Sequence, residues 1–329
     1  MTKNEIGEPK MNQADKSTYN RKTICIVTPC YNEVDNVREM RNAVVDVFQS
    51  QPQYDYKHLF IDNASNDGTQ KVLRDLAAED SHVQVILNTR NFGHIRSPYY
   101  GLLQGSGDAN ILMASDLQDP PAMILEFLKK WEEGYQIVVA VKESSEESKL
   151  LYMLRTIYYR LVRSISDVEL MQHVTGFGLY DRRAIEILKK INDPYPYFRG
   201  LLSEIGLDIA KIPFHQPVRK RGLSKNNFYT LFDMAMLGIT NHSRIPLRVA
   251  TISGFILALM SILIAVLYLV AKMIFWNQFS IGIAPILISI FFIGAVQLFF
   301  IGILGEYIGA ILTQVQNRPH VIEKERINC

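Results

Sequence analysis

Two runs without a charged residue, Val249–Val270 and Ile281–Leu304, constrain this chain more than any other feature, because each exceeds 20 residues. A helix of that length crosses the ~30 Å hydrocarbon core of a bilayer. A buried core helix can be equally apolar, but two such runs about ten residues apart read as a transmembrane hairpin. Arg244 and Arg248 precede the first run, Arg318, Lys324 and Arg326 follow the second, and the connection offers only Lys272. That asymmetry puts both flanks in the cytoplasm and predicts a multi-pass protein of the inner (cytoplasmic) membrane, with Glu306 at the interface. The expected division is a disordered tail over 1–21, a soluble domain over 22–230, a juxtamembrane helix and two transmembrane helices over 231–312, and a cytoplasmic tail over 313–329.

The formal net charge of +2 argues against a nucleic-acid partner, which normally requires a strong basic excess. Cys25, Cys30 and Cys329 are too few for a disulfide framework and fit a reducing compartment. Met1–Asn20 is polar and charged, with no apolar stretch of a secretory signal.

The soluble domain alternates strand and helix patterns. Thr23–Thr28 is β-branched and ends at Pro29, so the first strand is expected to stop there. Apolar residues at Val37, Met40, Val44, Val47 and Phe48 predict a helix over Val34–Ser50. Strands are expected at Tyr56–Ile61, Val83–Leu87 and Ile111–Met113, with a helix over Thr69–Glu79 and another through Tyr100–Gln104. Repeated strand–helix units imply an α/β domain with a mostly parallel sheet. The loops after the strands, at Tyr31-Asn32-Glu33, at Asp62 and at Asp116, then share the carboxyl edge where such sheets bind ligands. Asp116 and Asp119 precede Pro120-Pro121 there, and their hard oxygens suit Mg²⁺ or Mn²⁺ carrying a phosphate. An acidic turn capping the next helix is the alternative reading of the same residues.

Val27-Thr28-Pro29-Cys30-Tyr31-Asn32-Glu33, Asp62-Asn63-Ala64-Ser65-Asn66-Asp67-Gly68-Thr69, Asn88-Thr89-Arg90-Asn91-Phe92-Gly93 and Asp116-Leu117-Gln118-Asp119-Pro120-Pro121 resemble, in order and spacing, the motifs of family-2 inverting glycosyltransferases of GT-A fold. With the hairpin, the chain is similar to polyprenyl-phosphate glycosyltransferases, relatives of dolichyl-phosphate mannose synthase and of bacterial undecaprenyl-phosphate glucosyltransferases. The resemblance covers about Thr23 to Arg318. It implies a nucleoside-diphosphate sugar donor bound by Pro29, Tyr31, Asn32, Glu33, Asp62, Asn91, Gly93, His94, Arg96 and Asp116. It also implies Mg²⁺ or Mn²⁺ on Asp116 and Gln118. The family's metal motif usually reads Asp-x-Asp-x-Gln, whereas Ala114 stands at its first position here. Gly176 and Gly178 occupy positions where relatives often carry an acidic residue or an arginine, so no base is carried over to that segment. Asp181 reads equally as a helix start. Asp67-Gly68-Thr69 reads as a turn and helix cap.

For the acceptor phosphate, Arg219, Arg221, Ser224 and Lys225 resemble the family's acceptor loop, their cations and hydroxyl interrupted by Gly222. A juxtamembrane basic cluster touching anionic lipid is the competing reading. Arg155, Arg160 and Arg163, among the leucines and tyrosines of Lys149–Ser164, make an interfacial helix pattern, from which Arg155 reaches the same phosphate. The catalytic set is then Asp116, Arg219 and Arg221. The partners are a sugar nucleotide, with UDP-glucose favoured, a polyprenyl phosphate, the bilayer and further copies in a homo-oligomer. A processive polysaccharide synthase and a catalytically silent lipid-carrier binding protein are the alternatives.

Overall fold

The computed structural model describes residues 21–142, 174–217, 245–275 and 283–329, together with 236, 237, 239, 240 and 243. Four strand–helix units open the domain: β1 (Lys22–Cys30), α1 (Val37–Gln49), β2 (Tyr54–Asp62), α2 (Thr69–Glu79), β3 (Val83–Asn88), α3 (Gly93–Gln104), β4 (Ala109–Leu112) and α4 (Met123–Glu132). Then come β5 (Ile137–Lys142), β6 (Val174–Asp181), α5 (Arg182–Ile191), α6 (Phe198–Glu204), β7 (Ile209–Phe214), the long helices α7 (Ile245–Ile274) and α8 (Ile283–Gln316), and β8 (Glu323–Ile327).

The strands form one sheet in the order β7-β5-β6-β4-β1-β2-β3-β8. β4, β1, β2 and β3 are mutually parallel, whereas β6 and β8 run antiparallel to their neighbours. Strand residues alternate between two buried faces: Ile24 and Ile26 pack with α1, α2 and α4, while Cys25 and Val27 face the other layer. Burial on both faces explains the nearly unbroken apolar runs of β1 to β3. Leu102, Ile185, Leu188 and Leu202 build the second layer, from α3, α5 and α6. This is the α/β architecture expected of a GT-A domain. Cys25 and Cys30 are buried thiols, and burial pushes Cys25 up to about 11.

Several boundaries differ from the sequence expectation, β4 among them at Ala109–Leu112, and three of them bear on the site. β1 runs through Pro29 to Cys30, because β4 pairs only as far as Val27 and leaves that stretch with a ladder on one side alone. α1 begins at Val37, since Glu33 O already accepts the N–H groups of Asn36 and Val37 in a preceding turn. α3 begins at Gly93, so Gly93, His94 and Arg96 lie in a helix's first turn instead of a loop, and Pro98 is accommodated within it.

The two long helices match the expected apolar runs and extend past them. Windows at Ile245–Ile264 and Phe292–Gln316 have mean hydropathies of 2.1 and 1.8, and neither is buried by the rest of the chain. At 1.5 Å per residue, the 34 residues of α8 span about 50 Å, more than a hydrocarbon core needs. The surplus reaches the domain: Tyr307 Oη donates to Ser243 O at 2.6 Å and Gln314 Nε2 to Asp193 Oδ1 at 2.8 Å. The chain then pairs β8 with β3, so the returning leg of the hairpin ends on the domain. Glu323–Ile327, expected within a tail, is the sheet's edge strand.

Candidate functional site

The carboxyl ends of β1, β2 and β3 are in register, with Cys30 beside Asp62 and Asp62 beside Leu87. The loops leaving them are tied together by side chains. Asn32 takes a left-handed backbone, φ 58°, that asparagine tolerates better than most residues. Its N–H donates to Ser65 Oγ at 2.8 Å, and its Oδ1 accepts from Asn66 N at 3.0 Å. Glu33 N donates to Thr69 Oγ1 at 3.0 Å, and Glu33 Oε2 accepts from Asn36 Nδ2. Asp67 takes the Thr69 N–H at 3.0 Å and the Val34 N–H at 3.2 Å, which makes it a turn and cap residue as expected.

Asp62 is fully buried at the end of β2. Oδ2 accepts from Ser65 N at 3.0 Å and Gln70 Nε2 at 2.9 Å, whereas Oδ1 is buried without a hydrogen-bond partner. Burial raises its pKa against those hydrogen bonds, which favour the charged form. A carboxylate oxygen left without a partner at the carboxyl edge of the sheet is free to accept a hydrogen bond.

Asn63 joins this floor to the third loop. Its Nδ2 donates to Asn91 Oδ1 at 2.9 Å and Gly93 O at 3.2 Å, and its Oδ1 accepts from Phe92 N at 2.9 Å and Asn88 Nδ2 at 3.3 Å. In the sequence Asn63 stands inside a run of turn formers, and no local pattern gives it a role. The signal was its position, one residue beyond a buried strand, where a polar side chain needs partners. Ser65 and Gln70, the donors to Asp62, were missed in the same way. Arg96, on the first turn of α3, lies with its guanidinium carbon 5.1 Å from the Tyr195 ring centroid, while His94 is exposed nearby.

On the other flank of β1, β4 opens into the acidic loop. Leu117 has φ 58°, a left-handed conformation uncommon for a bulky residue and frequent at ligand loops. Gln118 N donates to Asp116 Oδ1 at 3.1 Å, and Gln118 Nε2 donates to Pro217 O at 3.3 Å. Asp119 turns inward, and its Oδ2 accepts the Ala114 N–H at 2.9 Å. Its carboxyl is buried and pushed up to about 7, by burial first and then by the nearby Asp116 charge. Asp119 therefore closes the loop onto Ala114, while Asp116 stays half-exposed. No group of three or more acidic, His or Cys side chains suited to a metal occurs among the described residues. The residues present still fit a hard divalent cation, because Mg²⁺ needs only one or two carboxylates when substrate phosphates and water complete its shell.

Gly176 and Gly178 have structural reasons. Gly176 has φ +93°, and a Cβ on Gly178 would stand 2.3 Å from Val138 O of the adjoining strand. Asp181 is a helix cap, with its carboxylate accepting from Arg183 N at 2.8 Å and Trp131 Nε1 at 2.7 Å. The structure thus gathers Tyr31, Asn32, Glu33, Asp62, Asn91 and Gly93 on one flank of β1, with Pro29 on that strand, and Asp116 and Gln118 on the other. Arg155, Arg219, Arg221, Ser224 and Lys225 lie outside the described residues.

A family model described as "Glycosyl transferase family 2" matches residues 25–204. An SfII prophage-derived bactoprenol glucosyl transferase of Shigella flexneri is 34% identical over 303 residues, covering 92% of this chain and 97% of that protein. A bactoprenol glucosyl transferase of Shigella phage SfV is 33% identical over 305 residues, covering 92% and 99%. Among solved structures, glucosyl-3-phosphoglycerate synthase from Mycobacterium tuberculosis, in complex with Mn²⁺, UDP-glucose and phosphoglyceric acid, is similar at a TM-score of 0.45 and 17% identity, covering 71% of this chain and 83% of that one. That likeness is too weak to bear on the site.

Proposed function

Since the chain belongs to glycosyl transferase family 2, we propose that this glycosyltransferase moves one glucosyl unit from UDP-glucose to a polyprenyl phosphate, with inversion at the anomeric carbon. The supporting observation is that similarity to the bactoprenol glucosyl transferases runs over 92% of the chain, through the sheet-borne site and the apolar hairpin together. That extent takes in the sheet domain and the two apolar helices alike. A polysaccharide synthase or a silent carrier-binding protein accounts less well for that shared extent.

In this reading Asp62 Oδ1 accepts the uracil N–H, Tyr31 and Pro29 pack on the base, and Asn91, Gly93 and Arg96 border the diphosphate. An acceptor phosphate oxygen, already ionised near neutral pH, attacks the anomeric carbon from the face opposite the departing diphosphate. Orientation and charge neutralisation then supply most of the rate, and no side chain at Gly176 or Gly178 is needed as base. When bound, Mg²⁺ or Mn²⁺ held by Asp116 and Gln118 would neutralise charge on the leaving group. The hairpin crosses the cytoplasmic membrane with the site inside the cell, and Arg155, Arg219, Arg221, Ser224 and Lys225 grip the acceptor phosphate. Self-association within the membrane belongs to the same reading, motivated by Glu306, a charged residue exposed on α8.

The acceptor half is tested at Arg221. Arg221→Ala should raise the polyprenyl-phosphate KM while calorimetric UDP-glucose affinity stays constant, and Arg221→Lys should recover only part, because lysine lacks the bidentate fork. Unchanged acceptor kinetics would remove the loop from the site.

A further inference from the structure

The last segment of the chain runs along one face of α3, the helix that begins at the donor loop. Arg96, Tyr99, Tyr100 and Gln104 occupy that face, at the i, i+3, i+4 and i+8 spacing that aligns side chains on a helix. His320 meets the start of the row: its ring stands edge-on to Tyr99, with centroids 5.2 Å apart and planes at 72°. Glu323 Oε1 accepts from Tyr100 Oη at 2.7 Å, and Arg326 donates to Gln104 Oε1 at 2.6 Å. Ile322 O accepts from Thr89 N at 3.0 Å, which fixes the strand end just before the helix. The same segment is anchored to α8 through Gln314 and Asp193, and Asp193 Oδ1 also takes the Tyr195 N–H at 3.0 Å. Tyr195 in turn carries the Arg96 guanidinium on its ring.

Two polar atoms in this cluster have no hydrogen-bond partner although they are buried, Arg96 Nε and His320 Nδ1. His320 is 8% exposed, and burial lowers its pKa, with the Asp193 charge opposing that shift and the Arg96 charge assisting it. A neutral, buried imidazole packed on Tyr99 is a fixed wedge rather than a mobile surface residue. Tyr99, in the second turn of α3, also donates to Leu188 O at 3.3 Å and packs on Phe198, so removing His320 takes away its contact with the C-terminal segment and leaves those two.

We propose that the segment from Gln314 to Arg326 is a positioning element for the donor site, in which His320, packed on Tyr99 in the second turn of α3, fixes that helix and with it Arg96, one turn earlier, beside the donor diphosphate. This inference rests on the reading of a sugar-nucleotide site at the carboxyl ends of β1 to β3. His320 is a positioning residue, since it acts through Tyr99 and Arg96. The hairpin is then more than an anchor, because its returning leg completes the soluble site.

The test uses the full-length protein in detergent, comparing wild type with His320→Ala and His320→Phe, the latter keeping an aromatic ring against Tyr99. Amide hydrogen exchange should quicken over Gly93–Tyr99 in His320→Ala while β1 and β2 amides stay protected. UDP-glucose affinity should fall roughly 3- to 10-fold, the equivalent of one aromatic edge contact, with the polyprenyl-phosphate KM unchanged. His320→Phe should restore both. Unchanged exchange at α3 overturns the proposal, as does a uniform rise through β1 and β2, which would make His320 a general stability residue. Should UDP-glucose fail to bind wild type, the donor reading falls, and the exchange comparison still decides whether His320 holds α3.

Discussion

Asn63→Ala removes a single side chain that holds four hydrogen-bonding groups of the third loop and of Asn88. Two of its contacts, to Asn91 Oδ1 and from Phe92 N, are 2.9 Å long, and two are longer, at 3.2 and 3.3 Å. Neutral hydrogen bonds contribute about 0.5–1.5 kcal/mol each, and a buried group left unpaired costs about 1–3 kcal/mol. The Asn88 amide keeps Ser97 Oγ at 3.1 Å, so the two short contacts set the scale, a loss of about 1–3 kcal/mol. Most of it should appear as disorder of the third loop, because apart from Asn88 at the end of β3 the sheet makes none of these contacts. If half of that loss falls on donor binding, UDP-glucose affinity drops roughly 2- to 12-fold. Asn63→Asp sharpens the test. It is nearly isosteric and keeps an acceptor for Phe92 N, but it turns an oxygen toward Asn91 Oδ1 and Gly93 O, where two donors stood. It should therefore bind donor no better than the alanine variant. Isothermal titration with UDP-glucose on the three proteins gives the answer, and wild-type affinity in Asn63→Asp would refute the account of the loop network.

Asp116→Asn should lower kcat by about two to three orders of magnitude, whereas Asp119→Asn, whose amide oxygen can still accept the Ala114 N–H, should stay within about tenfold of wild type; equal losses would make Asp119 a ligand. Chelation should abolish turnover and added Mg²⁺ or Mn²⁺ restore it, with persistent activity in chelator counting against a cation at Asp116. His58 is buried against Thr28 Oγ1 with its pKa pushed down to about 3 by burial, so the unfolded chain takes up the proton first. Its contribution is intact above about pH 6.5 and is lost as pH falls toward 3, by about 2–3 kcal/mol between pH 6.5 and 4.5; melting curves of His58→Gln should show a shallower acid decline than wild type over that window, and parallel curves would contradict the sign. A cysteine at Asn277 should be labelled from outside intact cells while Cys329 is not, and the reverse pattern would overturn the orientation of the hairpin.

The first four strands were legible because burial on both faces wrote them as short apolar runs bounded by turn formers. Asp62 and Asp116 could be placed for the same reason, since each follows such a run. β8 was not legible: Glu323-Lys324-Glu325-Arg326 has the composition of a solvated tail, and it becomes a strand only because β3 presents an unpaired edge. The opening of α3 was hidden by Gly93 and Pro98, both poor interior helix residues, whose place is set by packing of Tyr99, Leu102 and Leu103. Asp119 could be read from sequence either as a ligand or as a cap, because the left-handed turn at Leu117 decides which way its carboxyl points. Asn63 depends on partners 25 to 30 residues away, a relation that no local pattern records.

The central claim is most directly tested by incubating the purified full-length protein with UDP-glucose, undecaprenyl phosphate and Mg²⁺, and identifying the lipid product by mass spectrometry with the anomeric configuration read by NMR. The account predicts a single glucosyl residue on the lipid phosphate, with configuration inverted from the donor and with UDP released in equal amount. A polymeric glycan, a retained anomeric centre, or no lipid-linked product from any sugar nucleotide would contradict it.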